Sequence, residues 1–559
     1  HHYDVHLEPY PRALENGWWD TRIPDPATNN EYFRTDTDWD YVFANMADIG
    51  ANTMQLMAYW SDWEPVQGTY DFTFLDGVIA KAASYGLKTE LIIFLHSHAI
   101  SGVIPRSQDD FWAYHLEDRD GKCYSIQWGN GNLNSTSAFR AAAAPGNGQE
   151  IFLEYWHPQV FPRLLSALTA LADHYESSDD VIGYQLGNEE GFNYYVNGGN
   201  DQNPYYSQLK ALYMADNPGA TDADFRKETV NNLWTSFNNA IHAGDPYKPT
   251  TSNLQSGLTE KSFPNYNPND GTTIAFYENL DMIGSMFYDN CQTIYPNLDA
   301  QYNGGTATGT QYATTLPLLF PTEIGANVKN SRVMKIIAAE TMARGGQGFG
   351  VYCYGELYTD SRNYKTSAPK DSRTQTKNLF QVVEALESSI WAGIPVTAQT
   401  TGNIYMTVAD TSYTPTLAVL EADADTAVGM LYFKGALGNN MNEEDRSRDV
   451  TVSVKEAGTY TVEVRGTNGS APTSYEYQAD ANGQFTVPVT TTNANVAFVS
   501  VRRAGQPESL EGKYRIQSVA TGQYLTLQSD TESGMTDDFV VLTTGEANAA
   551  VWTLEETAE

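Results

Sequence analysis

Cysteine is nearly absent. The three in 559 residues, Cys123, Cys291 and Cys353, cannot build a disulfide framework, and they lack the paired spacing of a zinc site. No apolar run approaches the roughly 20 residues that a bilayer span needs, which argues against a membrane-spanning helix. The nine histidines contain no HExxH pattern, and nothing else in the chain points to a metal or an organic cofactor. Basic residues are scarce as well: 33 Lys and Arg against 69 Asp and Glu leave a formal net charge of -36. Nucleic acid and anionic lipid bind through Lys and Arg, so this imbalance argues against both as partners and reads as a solubility surface.

What the chain does have is apolar material in a regular rhythm. Hydrophobic residues make up 41% and aromatics 12%, enough for a large core rather than a disordered chain. Between about residues 50 and 356, strand-like runs alternate with segments of helical period. The run NTMQLM at 52–57 precedes a helix predicted over 74–85, where Phe74, Leu75, Val78, Ile79, Ala82 and Ala83 share a face and Gly86 stands at the end. Further strands are predicted at 88–95, 182–189, 249–255, 281–288, 316–323 and 348–356. Helices are predicted at 161–175, 224–241 and 332–343, and a long polar excursion occupies about 99–157. With a first strand among residues 3–23, eight βα-like units result, which predicts an α/β fold of the (β/α)8 TIM-barrel type over 1–393.

The texture changes near Pro395. Thr-, Val- and Tyr-rich alternating stretches, among them DVTVSVKEAGTYTVEVRG, are separated by turn signals and predict an antiparallel β-sandwich over 394–505. The tail over 506–559 opens on KYRIQ, turns at TGQYL and closes on VWTLEE. It resembles one repeat of a ricin-type β-trefoil, a partial carbohydrate-binding segment.

Two strands end in an unexpected way. VIGYQLGNEE at 181–190 begins apolar and finishes in Asn188, Glu189 and Glu190, and LPLLFPTEIG at 316–325 carries Glu323. A buried charge is costly without a partner or a purpose. In a TIM barrel the functional residues stand at the C-terminal strand ends, so Glu189 after the fourth strand and Glu323 after the seventh would share one mouth. Two carboxylates facing one cleft suit glycoside hydrolysis: one donates a proton to the leaving oxygen, and the other attacks the sugar or activates water.

Asn-Glu after the fourth strand and Glu after the seventh resemble the signature of clan A of the glycoside hydrolases, which are retaining TIM-barrel enzymes. VIGYQLGNEEG looks like the acid/base motif of β-galactosidase families 42 and 35. The stretch MQLMAYWSDWEPVQGTYDFTFLDGVIAKAASYGLKTEL resembles their second-strand region, with Trp, Glu-Pro, Gly and Tyr-Asp-Phe in order. The resemblance covers roughly 50–360, and the segment FLHSHAISGVIPRSQ after the third strand departs from the family pattern.

The resemblance implies that Glu189 is the general acid/base, with its pKa raised by an apolar setting and the second carboxylate. It implies that Glu323 is the nucleophile, that Asn188 binds the sugar 2-hydroxyl, and that Tyr288 hydrogen-bonds the nucleophile. It makes Glu64 a structural landmark. Trp60 and Trp63 are candidates either for stacking on sugar or for core packing. His96 and His98, after the third strand, are candidates for substrate hydroxyls or for structural hydrogen bonds. Glu190, next to Glu189, should face away. Where the clan carries a stacking Trp at the eighth strand, this chain has Tyr352, Tyr354 and Glu356, and Tyr354 and Glu356 are further candidate substrate contacts.

The expected function is therefore a retaining β-glycoside hydrolase of β-galactosidase type, acting on oligo- or polysaccharides. The alternatives are another clan A endo- or exo-glycanase on β-glucan or mannan, and a non-catalytic carbohydrate-binding barrel. The intact pair Glu189 and Glu323 speaks against the last. A secreted or surface-displayed bacterial enzyme, its leader removed ahead of His1, is the expected setting. The sequence implies a carbohydrate partner and leaves the oligomeric state open.

Overall fold

The computed structural model describes residues 11–15, 22–24, 31–33, 39–64, 68–94, 125–127, 131–132, 151–153, 160–188, 204–253, 280–284, 286–287, 318–319, 323–325, 333–359, 367–396, 402–409, 415–433, 445–492, 495–504, 512–514, 524–532, 535–543 and 552–554. The chain forms two compact units, residues 1–502 and 503–559.

The first unit is built on parallel strands in the order of the alternation. These are β1 (Arg12–Glu15), β2 (Thr53–Tyr59), β3 (Lys88–Phe94), β4 (Val181–Asn188) and β5 (Thr250–Asn253). They are followed by β6 in two pieces (Met282–Ile283 and Met286–Phe287), β7 in two pieces (Leu318–Leu319 and Glu323–Gly325) and β8 (Phe349–Tyr352). The eight-stranded sheet runs β5-β4-β3-β2-β1-β8-β7-β6, with the second pieces of β6 and β7 in it. All its pairings are parallel. This is the cyclic order of an eight-stranded barrel, cut between β5 and β6.

Helices return the chain between strands, as parallel pairing requires. In α1 (Trp39–Ile49), Val42, Phe43, Met46 and Ile49 are buried, and in α2 (Thr73–Ala83) the buried set is Leu75, Val78, Ile79 and Ala82. Phe74 is only partly buried at the edge of that stripe, and Gly86 supplies the left-handed turn (φ 78) after α2. α3 (Val160–Tyr175) follows the 99–157 excursion, within which 125–127, 131–132 and 151–153 form a small antiparallel sheet. α4 (Asp222–Gly244) begins in a capping box, where Thr221 Oγ1 accepts from the Asp224 amide and Asp224 accepts from the Thr221 amide.

Alternation sorts the two faces of the sheet. Met54, Leu56, Ala58, Leu91, Ile93, Tyr184 and Leu186 join the helix-side core. Gln55, Glu90 and Gln185 alternate with them, so they belong to the opposite face, where they are buried. Each fully buried Leu or Ile side chain contributes about 1.5–3 kcal/mol, so the helix-side core dominates stability.

Between β5 and β6 a carboxylate joins the strands. Asp281 accepts from the Thr250 amide (2.7 Å), from Thr250 Oγ1 (2.9 Å) and from His242 Nε2 (2.9 Å). Burial alone would push the His242 pKa down, but the Asp281 hydrogen bond and charge, with Asp245 behind them, outweigh it and raise the pKa. An imidazolium with a raised folded pKa stabilises fully below its unfolded value near 6.5, and that contribution fades as pH climbs through the folded value. Asp281→Asn keeps an acceptor for Thr250 but removes the charge. It should cost more stability at pH 5.5 than at pH 9, as read by urea midpoints at the two pH values, and an equal cost at both would show that the imidazolium does not depend on this charge.

The eighth strand is shorter than alternation predicts. It stops at Tyr352, the Tyr352–Cys353 peptide is cis, and a 3-10 turn occupies Tyr354–Leu357. Cys353 is fully buried.

After the helix Asp371–Ala385 the chain enters two antiparallel sheets. One has six strands in the order 394–395, 415–423, 426–433, 497–503, 459–466, 473–478; the other has three, 404–408, 445–454 and 484–492. Ile404, Met406, Val450, Val452, Val487 and Val489 of the second meet Val419, Leu431, Val462, Val499 and Val501 of the first. This is the inward alternation of a β-sandwich.

In the second unit, 512–514 pairs antiparallel with 552–554, setting Tyr514 opposite Trp552, and 524–532 forms a hairpin with 535–543. Among the described residues, no helix is long and apolar enough to cross a membrane.

Candidate active site

The C-terminal ends of the parallel strands define one rim of the sheet, and Asn188 is the last residue of β4. Glu189 and Glu190 lie outside the described residues, as do Tyr288, His96 and His98. Glu323 is described through its backbone, which opens the second piece of β7 with its Cα opposite Met286.

β4 carries one extra residue just before Asn188. Thr251 pairs with Gln185 and Asn253 with Asn188, so two steps along β5 match three along β4. Gly187 sits in the inserted stretch with φ 74, and Gln185 Nε2 donates to its carbonyl at 3.0 Å. On the other pair of strands, Ile283 pairs with Leu319 in a separate two-stranded sheet, and Met286 pairs with Glu323 in the eight-stranded one. An extra residue reverses the in–out count beyond it, and bulges of this kind re-aim side chains beside functional sites. The sequence carries a signal for it, a glycine ahead of Asn-Glu.

Gly187 is needed for its conformation. A Cβ in the left-handed region costs about 1–2 kcal/mol, and a misplacement near 1 Å can cost 100-fold in rate. Gly187→Ala should therefore lower the urea midpoint by the equivalent of about 1–2 kcal/mol. An unchanged midpoint in that variant would mean that the backbone at 187 leaves the left-handed region at no cost.

Trp60 follows β2 directly and opens a short helix, Trp60–Trp63. It is 5% exposed, its indole N–H donates to Glu64 Oε2 at 2.5 Å, and the Arg163 guanidinium lies 5.2 Å from its ring centroid. Glu64 also accepts from the Gly68 amide (2.7 Å) and from Arg163 (3.2 Å). A buried carboxylate with a guanidinium and two neutral donors is a structural lock. Trp63 is fully buried and donates to the Ala167 carbonyl (3.1 Å). Arg163, absent from the sequence-derived candidates, comes from the first turn of α3, about 100 positions away from Glu64.

At the eighth strand, Tyr354 is fully buried and its ring lies 5.3 Å from that of Tyr358. Glu356 is partly buried and pairs with Lys370 Nζ at 3.2 Å. Both stand on the 3-10 turn rather than on the strand. Among the described residues, no group of three or more His, Cys, Asp or Glu could hold a metal ion.

Residues 30–93 match the family model described as beta-galactosidase, glycoside hydrolase family 42. No curated protein matches the chain. Among solved structures, a β-galactosidase from the psychrophilic Marinomonas ef1 is 13% identical, with a TM-score of 0.44 over 64% of this chain and 59% of that one. A family 5 glycoside hydrolase from Bacteroides vulgatus is 12% identical, with a TM-score of 0.47 over 89% of this chain and 90% of the other. A family 39 glycoside hydrolase from Bacteroides cellulosilyticus is 11% identical, with a TM-score of 0.43 over 88% and 81%. Over 30–93, which spans α1, β2, α2 and most of β3, the chain is thus similar to the β-galactosidases of glycoside hydrolase family 42.

Proposed function

We propose that the chain is a retaining β-glycoside hydrolase of β-galactosidase type. The observation that carries the reading is that Asn188, behind a one-residue register shift at the end of β4, and Glu323 on β7 belong to one eight-stranded parallel sheet. The family-42 match over the second-strand region supports the same reading.

In this reading the barrel closes between β5 and β6, where Asp281 already ties Thr250. The Glu323 carboxylate attacks the anomeric carbon while Glu189 gives its proton to the leaving oxygen, forming a glycosyl ester on Glu323. Glu189 then takes a proton from water as the water oxygen attacks the same carbon, and the ester bond breaks. Two inversions give net retention, which requires the carboxyl groups about 5–5.5 Å apart. Asn188 holds the sugar 2-hydroxyl, Tyr288 orients Glu323, and His96, His98 and Glu356 complete the substrate contacts, while Tyr354, with no exposed surface, packs behind them. Trp60, fixed by Glu64 and Arg163, forms part of the wall. The 503–559 unit is a sugar-binding module, and the protein is secreted or displayed at a bacterial surface.

The test is hydrolysis of nitrophenyl β-glycosides (galactoside, glucoside, mannoside, fucoside and xyloside), with the anomer of the first product read by NMR. Turnover of the galactoside with a β-anomer formed first is the expected result. An α-anomer formed first would exclude double displacement. No turnover of any aryl glycoside, followed by cleavage of β-glucan or mannan, would reassign the substrate.

A further inference from the structure

We propose that the β-sandwich is a positioning element for the strand-7 carboxylate and that Lys335 is the residue through which it acts; this rests on the reading of Glu323 as the nucleophile. The helix that follows β7, α5 (Val333–Ala343), is buried all round from Met334 to Met342. A helix on a single sheet buries one stripe. This one lies between two layers, touching β7 and β8 on the barrel side and the sandwich strands Pro415–Asp423 and Thr426–Phe433 on the other.

Two charged side chains on α5 are buried, and both are held from the sandwich. Lys335, with no exposed surface, donates from Nζ to the Thr467 carbonyl and to Asn495 Oδ1, each at 2.5 Å. Glu340 accepts from the Tyr432 hydroxyl at 2.5 Å and pairs with Arg344. The acceptors of Lys335 are themselves fixed. Thr467 Oγ1 donates to Asn495 Oδ1 (3.2 Å) and accepts from the Val496 amide (3.0 Å), while Asn495 Nδ2 donates to Thr492 Oγ1 (2.7 Å).

Apolar surfaces tolerate sliding, but a buried ammonium does not. Its desolvation is offset only while its acceptors stay within hydrogen-bond reach. The sandwich therefore sets where α5 lies along its own axis, and α5 packs against the piece of β7 that begins at Glu323. Catalysis by two carboxylates is sensitive to shifts near 1 Å, so a change at Lys335 should be felt at Glu323 without any contact with substrate.

The experiment uses the full chain with Lys335→Met, which keeps length and removes the charge, and Asn495→Ala, a milder loss of one acceptor. Each is assayed on the best aryl glycoside, and each is followed by amide hydrogen exchange. Positioning predicts that kcat falls by about tenfold or more while KM stays within about twofold. It also predicts faster exchange at 323–325 with no change at 53–59. Folded variants with wild-type kcat, or exchange raised equally at 53–59 and 323–325, would overturn the proposal. If Lys335→Met does not fold, Asn495→Ala decides by the same two readouts. If the wild type cleaves no glycoside, exchange alone decides: selective acceleration at 323–325 supports the mechanical link and leaves the activity reading to fail by itself, and no acceleration refutes the link.

Discussion

Glu323→Ala should abolish turnover of the best aryl glycoside, lowering kcat/KM on the order of 10^4-fold, because removing a nucleophile removes the covalent route altogether. Glu189→Ala should behave differently. A nitrophenolate leaves without much help from an acid, so glycosylation of Glu323 continues, but the second step loses the base that activates water. The ester should then accumulate as a burst. Azide needs no deprotonation, so it should restore turnover in Glu189→Ala and give a β-glycosyl azide with retained configuration. In Glu323→Ala, azide can only enter from the vacated side in one displacement, and the product should be the α-azide. The stereochemistry of the two products separates the roles in a way that loss of activity does not. A β-azide from Glu323→Ala, or near-native rates in either variant, would sink the assignment of both carboxylates.

How much of this was open to reading depends on whether a feature is local. Alternation gave the strands and helices because each helix buries one stripe at a period that four or five residues display, as Leu75, Val78, Ile79 and Ala82 do on α2. Alternation shows 281–288 and 316–323 as continuous strands, because the pairing that splits β6 and β7 into two pieces is a relation between neighbours, visible only when Met286 is found opposite Glu323. Trp60 looked like a stacking candidate because nothing near it announces Arg163, which reaches it from α3. Lys335 was invisible for the same reason: its acceptors Thr467 and Asn495 lie 132 and 160 positions away. The eighth strand was drawn through Glu356 because GFGVYCYGE is uniformly apolar up to its end, whereas the backbone turns at Tyr354. Glu189 and Glu323 stood out by contrast, since a carboxylate closing an apolar run is a local anomaly.

Glu90 is the other carboxylate in an apolar strand, and its expected signature is in stability rather than catalysis. It lies in the middle of β3 in KTELIIF, opposite Gln55 of β2, and is 2% exposed on the face away from the helices. Gln55 Nε2 donates to Glu90 Oε2 at 2.8 Å, while Glu90 Oε1 and Gln55 Oε1 have no partner among the described residues. Burial raises its pKa, the Gln55 hydrogen bond only partly opposes this, and the carboxyl is pushed up to about 8 from 4.5. Between those values the folded chain keeps a proton that the unfolded chain has lost. Folding stability should then be whole below pH 4.5 as far as this group is concerned, and should fall by about 1.4 kcal/mol per pH unit until the folded group ionises near pH 8. That is several kcal/mol against a typical total of about 5–15 kcal/mol, enough to dominate the alkaline side of the stability profile. Glu90→Gln keeps the shape and the acceptor for Gln55 and has no proton to lose. The variant should match the wild type near pH 4 and be several kcal/mol more stable at pH 8.5, as read by urea midpoints across that range. His242 also stabilises below its raised pKa, but that contribution is common to both proteins and cancels in the difference. Parallel pH profiles for wild type and Glu90→Gln would mean that Glu90 is already ionised in the folded state at neutral pH.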